Sequence, residues 1–310
     1  MMIITPRDIL VLLALATYFI LDRRHVQKLC FPRDPDGRVA RRRLAALTDA
    51  GLIRRHMTLV ASSFDVVPAP VYVLTAKGRE YLAKEAGDSQ YLFKPVDLPH
   101  PLHLIHAMAV GALHMTIDAA INAQTVVVME AWFNEGDIVN AGEHNAAYYY
   151  KLRTKFPGEP EIICSPDAGF LLNQDGRRSA FYLELERGDG HHGTGPRQLA
   201  ERKCPGYAEV ARQKIYLKHF PAVGIDEFRV LLVVPDALRR DAVRLAFQKK
   251  DAVTLRTDLW RFVALTDMTA EALLYGEICY RCGDGPAERL FAFGTPGFVS
   301  PAFTKEISDE

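Results

Sequence analysis

Between Pro166 and Tyr207 the chain gathers side chains that could do chemistry together: Asp167, Glu184, Glu186, Lys203 and Tyr207. Two runs there read as strands, Gly169-Phe170-Leu171-Leu172 and Ser179 to Glu186, joined across Asp175-Gly176. Asp-Gly between apolar runs is the strongest short-range hairpin signal. In such a hairpin Asp167 comes close to Glu184 or Glu186, and strand alternation puts both glutamates on one face, with Leu183 and Leu185 on the other. Three carboxylates at one strand end suit a hard divalent cation such as Mg²⁺ and are costly without one. The ordinary alternative is an edge-strand hairpin carrying solvated acids.

The elements that must position these groups follow from the same stretch. A helix is expected from Arg197 to His219, interrupted early by Pro205 and Gly206. On it Lys203 and Tyr207 stand four apart and share a face. Gly188 to Pro196, with His191 and His192, reads as a glycine-rich loop beside the acids, either closing over a substrate or merely a surface excursion.

The arrangement resembles the PD-(D/E)xK nuclease superfamily, in which a Pro-Asp pair precedes a hairpin whose second strand carries an acid, a spacer and a lysine. Pro166-Asp167 and Glu184-Leu185-Glu186 match, except that Glu186 stands at the lysine position. A lysine there orients water and stabilises a pentavalent phosphate, which a glutamate cannot do. In some members of the superfamily the lysine has moved to the following helix, and the resemblance assigns that role to Lys203.

Length and charge set the outer frame. A chain of 310 residues suggests two domains. The net charge of zero conceals an asymmetry: residues 1–94 carry 15 Lys+Arg against 9 Asp+Glu, and the remainder 23 against 29. A basic front and an acidic back suggest nucleic acid at one end and metal or solvent at the other. Five cysteines without framework spacing imply a reducing, cytoplasmic setting. The apolar run Ile9 to Leu21 is too short to span a bilayer and has no cleavage site after it, so it is read as a buried helix and no membrane partner is expected.

The front half supplies a second functional pattern. Thr5-Pro6 opens a helix, Asp22 to Leu29 reads as another, and Arg38 to Ala50 as a third that stops at Gly51. Extended segments Leu52 to Phe64 and Val71 to Thr75 follow, separated by Pro68 and Pro70, and a helix from Ala76 to Ala86 closes the unit. Leu47-Thr48-Asp49-Ala50-Gly51, with Tyr72 to Gly78, is similar to bacterial winged-helix regulators. Arg38, Arg41, Arg42 and Arg43 on the third helix, with Arg54 and Arg55 at the start of the wing, are the expected contacts to double-stranded DNA. A solvated basic face and a protein-docking module are the alternatives.

Further along, a helix from Leu102 to Ala123 carries His103, His106 and His114, more simply packing residues than metal ligands. Thr125 to Phe133 reads as a buried strand, and Asn134 to Glu161 as irregular, with Tyr148-Tyr149-Tyr150 beside Lys151, Arg153 and Lys155 open to nucleic-acid contact or simple packing. Phe228 to Val234, a helix opened by Asp236, and Trp260 to Thr266 form a parallel crossover. Cys279-Tyr280-Arg281-Cys282 is half of a zinc spacing with no second half.

In order and spacing these motifs look like the replication-relaxation family, over roughly residues 5 to 285. The fold class expected is α+β or α/β: a winged helix-turn-helix over 1–94, a linker at 95–101, a mixed-sheet PD-(D/E)xK-like, restriction-endonuclease-like domain over 102–290, and a loosely ordered tail at 291–310. The resemblance implies DNA as partner, in plasmid or mobile-element replication or mobilisation, with a homodimer and other replication or mobilisation proteins as further expectations. Three functions stay open: sequence-specific DNA binding with a nuclease-like body, Mg²⁺- or Mn²⁺-dependent cleavage through Asp167, Glu184 and Lys203, and protein docking without either activity.

Overall fold

The computed structural model describes residues 3–61, 66–96, 101–139, 150–187, 195–283 and 285–290. The front unit comprises α1 (Pro6–Tyr18), β1 (Leu21–Asp22), α2 (Arg23–Cys30), α3 (Arg38–Asp49), β2 (Ile53–Ala61), β3 (Val66–Leu74) and α4 (Ala76–Ala86). Its sheet runs β1-β3-β2, antiparallel throughout. That is the connectivity of a winged helix-turn-helix. The helices meet over Val11, Leu15, Val26, Leu44, Leu47 and Leu82.

Local chemistry accounts for the element ends. Helix α1 stops at Phe19, which takes φ 65°, so Leu21-Asp22 becomes a short strand instead of prolonging the apolar helix. Asp22 then caps α2 by accepting the His25 backbone N–H at 2.8 Å. Gly51, at φ 73°, ends α3 in the left-handed region. Pro68 and Pro70 lie inside β3 rather than before it. Strand β1 reaches only Leu21↔Tyr72 and Asp22↔Val71, so the two prolines sit where β3 has a partner on one side only.

The second unit is built on a seven-stranded sheet in the order β12-β11-β10-β9-β8-β7-β4. In chain order its elements are α5 (Pro101–Asn122), β4 (Val127–Asn134), β5 (Thr154–Phe156), β6 (Ile162–Cys164), β7 (Ala168–Gln174), β8 (Arg177–Leu185), α6 (Pro196–Arg212), α7 (Tyr216–His219), β9 (Phe228–Val234), α8 (Ala237–Gln248), α9 (Ala252–Leu255), β10 (Trp260–Ala264), α10 (Ala270–Tyr275), β11 (Glu277–Arg281) and β12 (Glu288–Arg289). β4, β7 and β8 are antiparallel neighbours, while β8-β9 and β9-β10 are parallel. One face packs on α6 and α8 through Tyr182, Leu199, Tyr207, Val210, Trp260 and Phe262. The other packs on α5 and α10 through Leu113, Ile117, Phe170, Phe181, Leu183 and Leu273.

Three expectations need correcting. β4 is an edge strand, so it alternates instead of being buried, and Val128 is 56% exposed. The stretch after it is not wholly irregular, since β5 and β6 pair as a small hairpin. Helix α6 runs through Pro205 without a break, and Gly206 allows close approach to Cys164, whose Cβ would lie 3.1 Å from an added methyl. Cys279 is buried on the α5 side of the sheet and Cys282 packs toward the opposite core, so the two do not form a chelating pair. The Gly188 to Pro196 loop, with His191 and His192, falls mainly outside the described residues, as do Tyr148, Tyr149 and the tail from 291.

Helix α5 joins the two units. It is long and apolar enough to cross a membrane by length and composition, yet it packs against this sheet through Val110, Leu113, Ile117, Ala120 and Ile121. Its other side meets the wing: Leu104 clusters with Ile20, Val71 and Val73. Tyr18 donates to Asp118 Oδ2 at 2.8 Å, and at Gly111 an added Cβ would stand 2.9 Å from the Tyr18 carbonyl oxygen.

Candidate active site

Hairpin register places the two acids. Ala168 pairs with Leu183, so Asp167, just before β7, lies beside Glu184 on β8. The Asp167 backbone N–H donates to the Leu183 carbonyl at 3.1 Å, and the Leu185 N–H donates to Asp167 Oδ2 at 2.7 Å. Glu184 points to the α6 face and is 2% exposed. There Lys203 Nζ donates to Glu184 Oε2 at 2.5 Å and the Tyr207 hydroxyl donates to Oε1 at 2.7 Å. The uninterrupted α6 delivers both, one turn apart.

Glu186 does not join this group. It forms a two-pronged ion pair with Arg239 at the start of α8, both contacts 2.9 Å, and its N–H donates to Val233. It lies one residue beyond β8, where the first turn of α8 supplies a guanidinium fork suited to a carboxylate.

Two residues that sequence reasoning did not assign to the centre are near Asp167. His106 of α5 places Nε2 3.1 Å from Asp167 Oδ1. Glu135 follows β4, and its N–H donates to the Asp167 carbonyl at 3.1 Å. The signal for Glu135 is the β4–β7 pairing of Asn134 with Ala168, a long-range contact that no local pattern announces. A cavity of about 520 Å³ opens here, lined among others by Asp167, Glu135, His106, His103, Arg153 and Arg79. It lies between the second unit and the front one, which contributes Phe19 and Arg79.

The electrostatics separate the two acids. Burial would raise Asp167, but the His106 hydrogen bond and charge, Lys203 and the Leu185 N–H hold its carboxyl below the ordinary range. Burial dominates at Glu184; Lys203 pulls back, Asp167 adds to the rise, and the carboxyl sits at about 7. Burial alone would lower Lys203, yet Glu184 and Asp167 keep its ammonium above the usual value. Glu135 is raised by burial and by the charge of Asp167. His106 would fall through burial, but Asp167 raises it.

Among the described residues no three His, Cys, Asp or Glu side chains gather closely enough to hold a metal by themselves. The donor set is therefore two carboxylates rather than three. Two hard oxygen donors, one of them raised chiefly by burial and further by the charge of the other, still suit Mg²⁺ or Mn²⁺, which take one or two carboxylates and complete their shell with water and substrate phosphate oxygens. The half-zinc motif contributes nothing to this centre.

The DNA-contact set divides three ways. Arg38, Arg41 and Arg42 are exposed on α3. Arg43 turns inward, where its Nε donates to Asp8 Oδ1 at 2.8 Å and a second nitrogen meets Oδ2; Asp8 is fully buried. Arg54 pairs across the sheet with Val73 and Arg55 with Tyr72, so they point to opposite faces. Val73 belongs to the cluster facing α5 and Tyr72 to the helical core of the wing. Arg55 thus shares the side of α3, and Arg54 the side of the second unit.

No curated protein matches the chain. Among solved structures it is similar to restriction endonuclease FokI, at 12% identity and a TM-score of 0.27, over 86% of this chain and 42% of that one. The chain thus spans well under half the length of that enzyme. The replication-relaxation family model matches residues 12–223. With that match running from α1 through the hairpin and both site elements of α6, the chain belongs to the replication-relaxation family.

Proposed function

We propose that this protein binds double-stranded DNA sequence-specifically in plasmid or mobile-element replication or mobilisation, and cleaves phosphodiester bonds at Asp167, Glu184 and Lys203. The observation that carries the cleavage reading is the reach of Lys203 Nζ to Glu184, 2.5 Å across 19 residues of chain. It supplies from α6 the cation that Glu186 cannot supply from β8. Asp167 and Glu184 are the residues that would hold Mg²⁺ or Mn²⁺, which when bound lowers the pKa of water and neutralises charge on a phosphate. Lys203, fully charged, offers N–H donors to a phosphate oxygen or an incoming water. Tyr207 fixes the Glu184 carboxylate, and the exposed Arg38, Arg41 and Arg42 present α3 to phosphates and base edges. A homodimer spanning two half-sites, working with replication or mobilisation proteins, completes the proposal.

One observation favours a second reading, DNA binding without cleavage. All four oxygens of the two acids are already engaged, by His106, the Leu185 N–H, Lys203 and Tyr207. Incubation of supercoiled plasmid DNA with the protein and excess Mn²⁺ separates the two. Cutting that disappears in Asp167→Ala and Lys203→Met, with duplex binding in EDTA retained, supports cleavage. Intact DNA together with salt-sensitive duplex binding supports the second reading. If neither is seen, a protein-docking role stands instead.

A further inference from the structure

We propose that a recess on the α7 side of β4 binds a single unpaired DNA strand and leads it to the acids of the candidate site. The inference rests on the cleavage reading above and specifies the form of its substrate. The recess has a volume of about 780 Å³ and is walled by the end of β4, by β5 and by α7. It shares Lys94, Ile138, Tyr150 and Arg153 with the 520 Å³ cavity beside Asp167 and Glu135, so the two adjoin along these side chains.

Its lining is basic and aromatic. Lys151, Arg153, Lys155 and Lys218 contribute positive charge. The two acids in the wall are offset: Arg178 Nε donates to Glu130 Oε2 at 2.7 Å, and Lys94 Nζ donates to Asp137 Oδ2 at 2.8 Å. Lys155 meets Glu161 only at the exposed rim, at 3.3 Å, where an ion pair contributes little. Arg153 and Lys155 are two residues apart along extended chain, about 6.6 Å, so they can follow the backbone of one extended strand. Tyr150, 37% exposed, adds an aromatic ring to the lining. The Phe133 ring is already covered by Lys151, whose Nζ lies 3.6 Å from its centroid.

The shape selects the strand form. A convex duplex cannot enter a recess in the size class of a small-molecule pocket. An unpaired strand can, with phosphates on the basic side chains and a base on the tyrosine. Duplex recognition by α3 and strand binding by the recess are then separate events on separate surfaces.

The test uses the full-length protein in EDTA and a labelled oligothymidine of about 12 nucleotides, read by fluorescence anisotropy against salt. The triple variant Arg153→Gln, Lys155→Gln, Lys218→Gln is expected to lose at least tenfold in strand affinity, with the salt slope falling by about 2. Its duplex affinity and melting temperature should stay at the parent level. Tyr150→Ala should weaken strand binding with no change in salt slope. Arg41→Gln with Arg42→Gln should weaken duplex binding alone. The proposal is overturned if the parent does not bind the oligomer, if the triple variant binds it as the parent does, or if strand and duplex affinity fall together. Because no cutting is needed, the two failures are distinguishable. A protein that cuts DNA but does not bind the oligomer overturns this inference alone. One that binds the oligomer without ever cutting keeps the strand-binding recess and loses its role as a path to a cleavage centre.

Discussion

Lys203 and Glu184 come from different elements, and their ion pair joins the sheet to α6 at the rim where Asp167 also lies. Glu184 is buried, whereas the lysine side chain remains 21% exposed, so the carboxylate depends on the contact more than the ammonium does.

Removing the lysine therefore strands a buried carboxylate. Lys203→Met is expected to lose about 3 kcal/mol at pH 8 by urea unfolding. Glu184 then stands further above its ordinary value, so the folded state holds more protons than the unfolded one between that value and its own raised pKa. Stability falls as pH rises through this window. The deficit should shrink toward pH 5, where Glu184 is protonated, and Lys203→Met with Glu184→Leu should recover most of it. A deficit that does not change with pH would count against the burial argument.

Arg43 and its neighbours on α3 should behave in opposite ways. Arg43→Ala leaves the buried Asp8 carboxylate without its guanidinium and is expected to cost about 2 to 4 kcal/mol in unfolding. Arg41→Ala and Arg42→Ala should stay within about 0.5 kcal/mol of the parent. Each should instead lower the salt slope of duplex binding by about 0.9 in a mobility-shift titration.

Acid sensitivity should arise partly at His114. The ring is buried, stacked on Trp132 with centroids 3.6 Å apart, and burial together with the Lys94 charge lowers its pKa to about 3. Between that value and 6.5 the unfolded chain binds more protons, so stability rises with pH and is lost as pH falls below 6.5. The loss amounts to at most about 1.4 kcal/mol per pH unit. His114→Phe keeps a stacked ring without the titrating nitrogen, and its melting temperature should vary less between pH 6.5 and 4.5 than that of the parent.

The close approach of α1 to α5 can be tested at Gly111. A Cβ there meets the Tyr18 backbone oxygen at 2.9 Å, so Gly111→Val must push the helices apart. The expected cost is about 1 to 3 kcal/mol, with earlier proteolytic cutting between the two units. Loss of melting temperature without faster cutting between them would show the contact to be local.

The hairpin, the parallel crossover and the order of helices and strands in the front unit were legible, because each is written in local alternation, turn chemistry or helical spacing. That Asp167 would meet Glu184 or Glu186 followed from the hairpin, and the register Ala168↔Leu183 decided for Glu184. Glu186 shows the limit of that reasoning. Alternation put it on the face of Glu184, yet Arg239, 53 residues away, holds it. Helical spacing turns the stem of Arg43 inward with Val39, Leu44 and Leu47, yet only the meeting of α1 and α3 showed that its guanidinium belongs to Asp8 and not to DNA.

What the sequence determined by itself is most of the elements and the side chains that share a face within each, since backbone geometry propagates over a few residues. Tertiary structure decided which faces meet: an unbroken α6 carrying Lys203 to Glu184, α5 placing His106 on Asp167, and β4 bringing Glu135 beside them. Those meetings join segments tens of residues apart. They are set by which apolar faces bury together, and local spacing does not encode that.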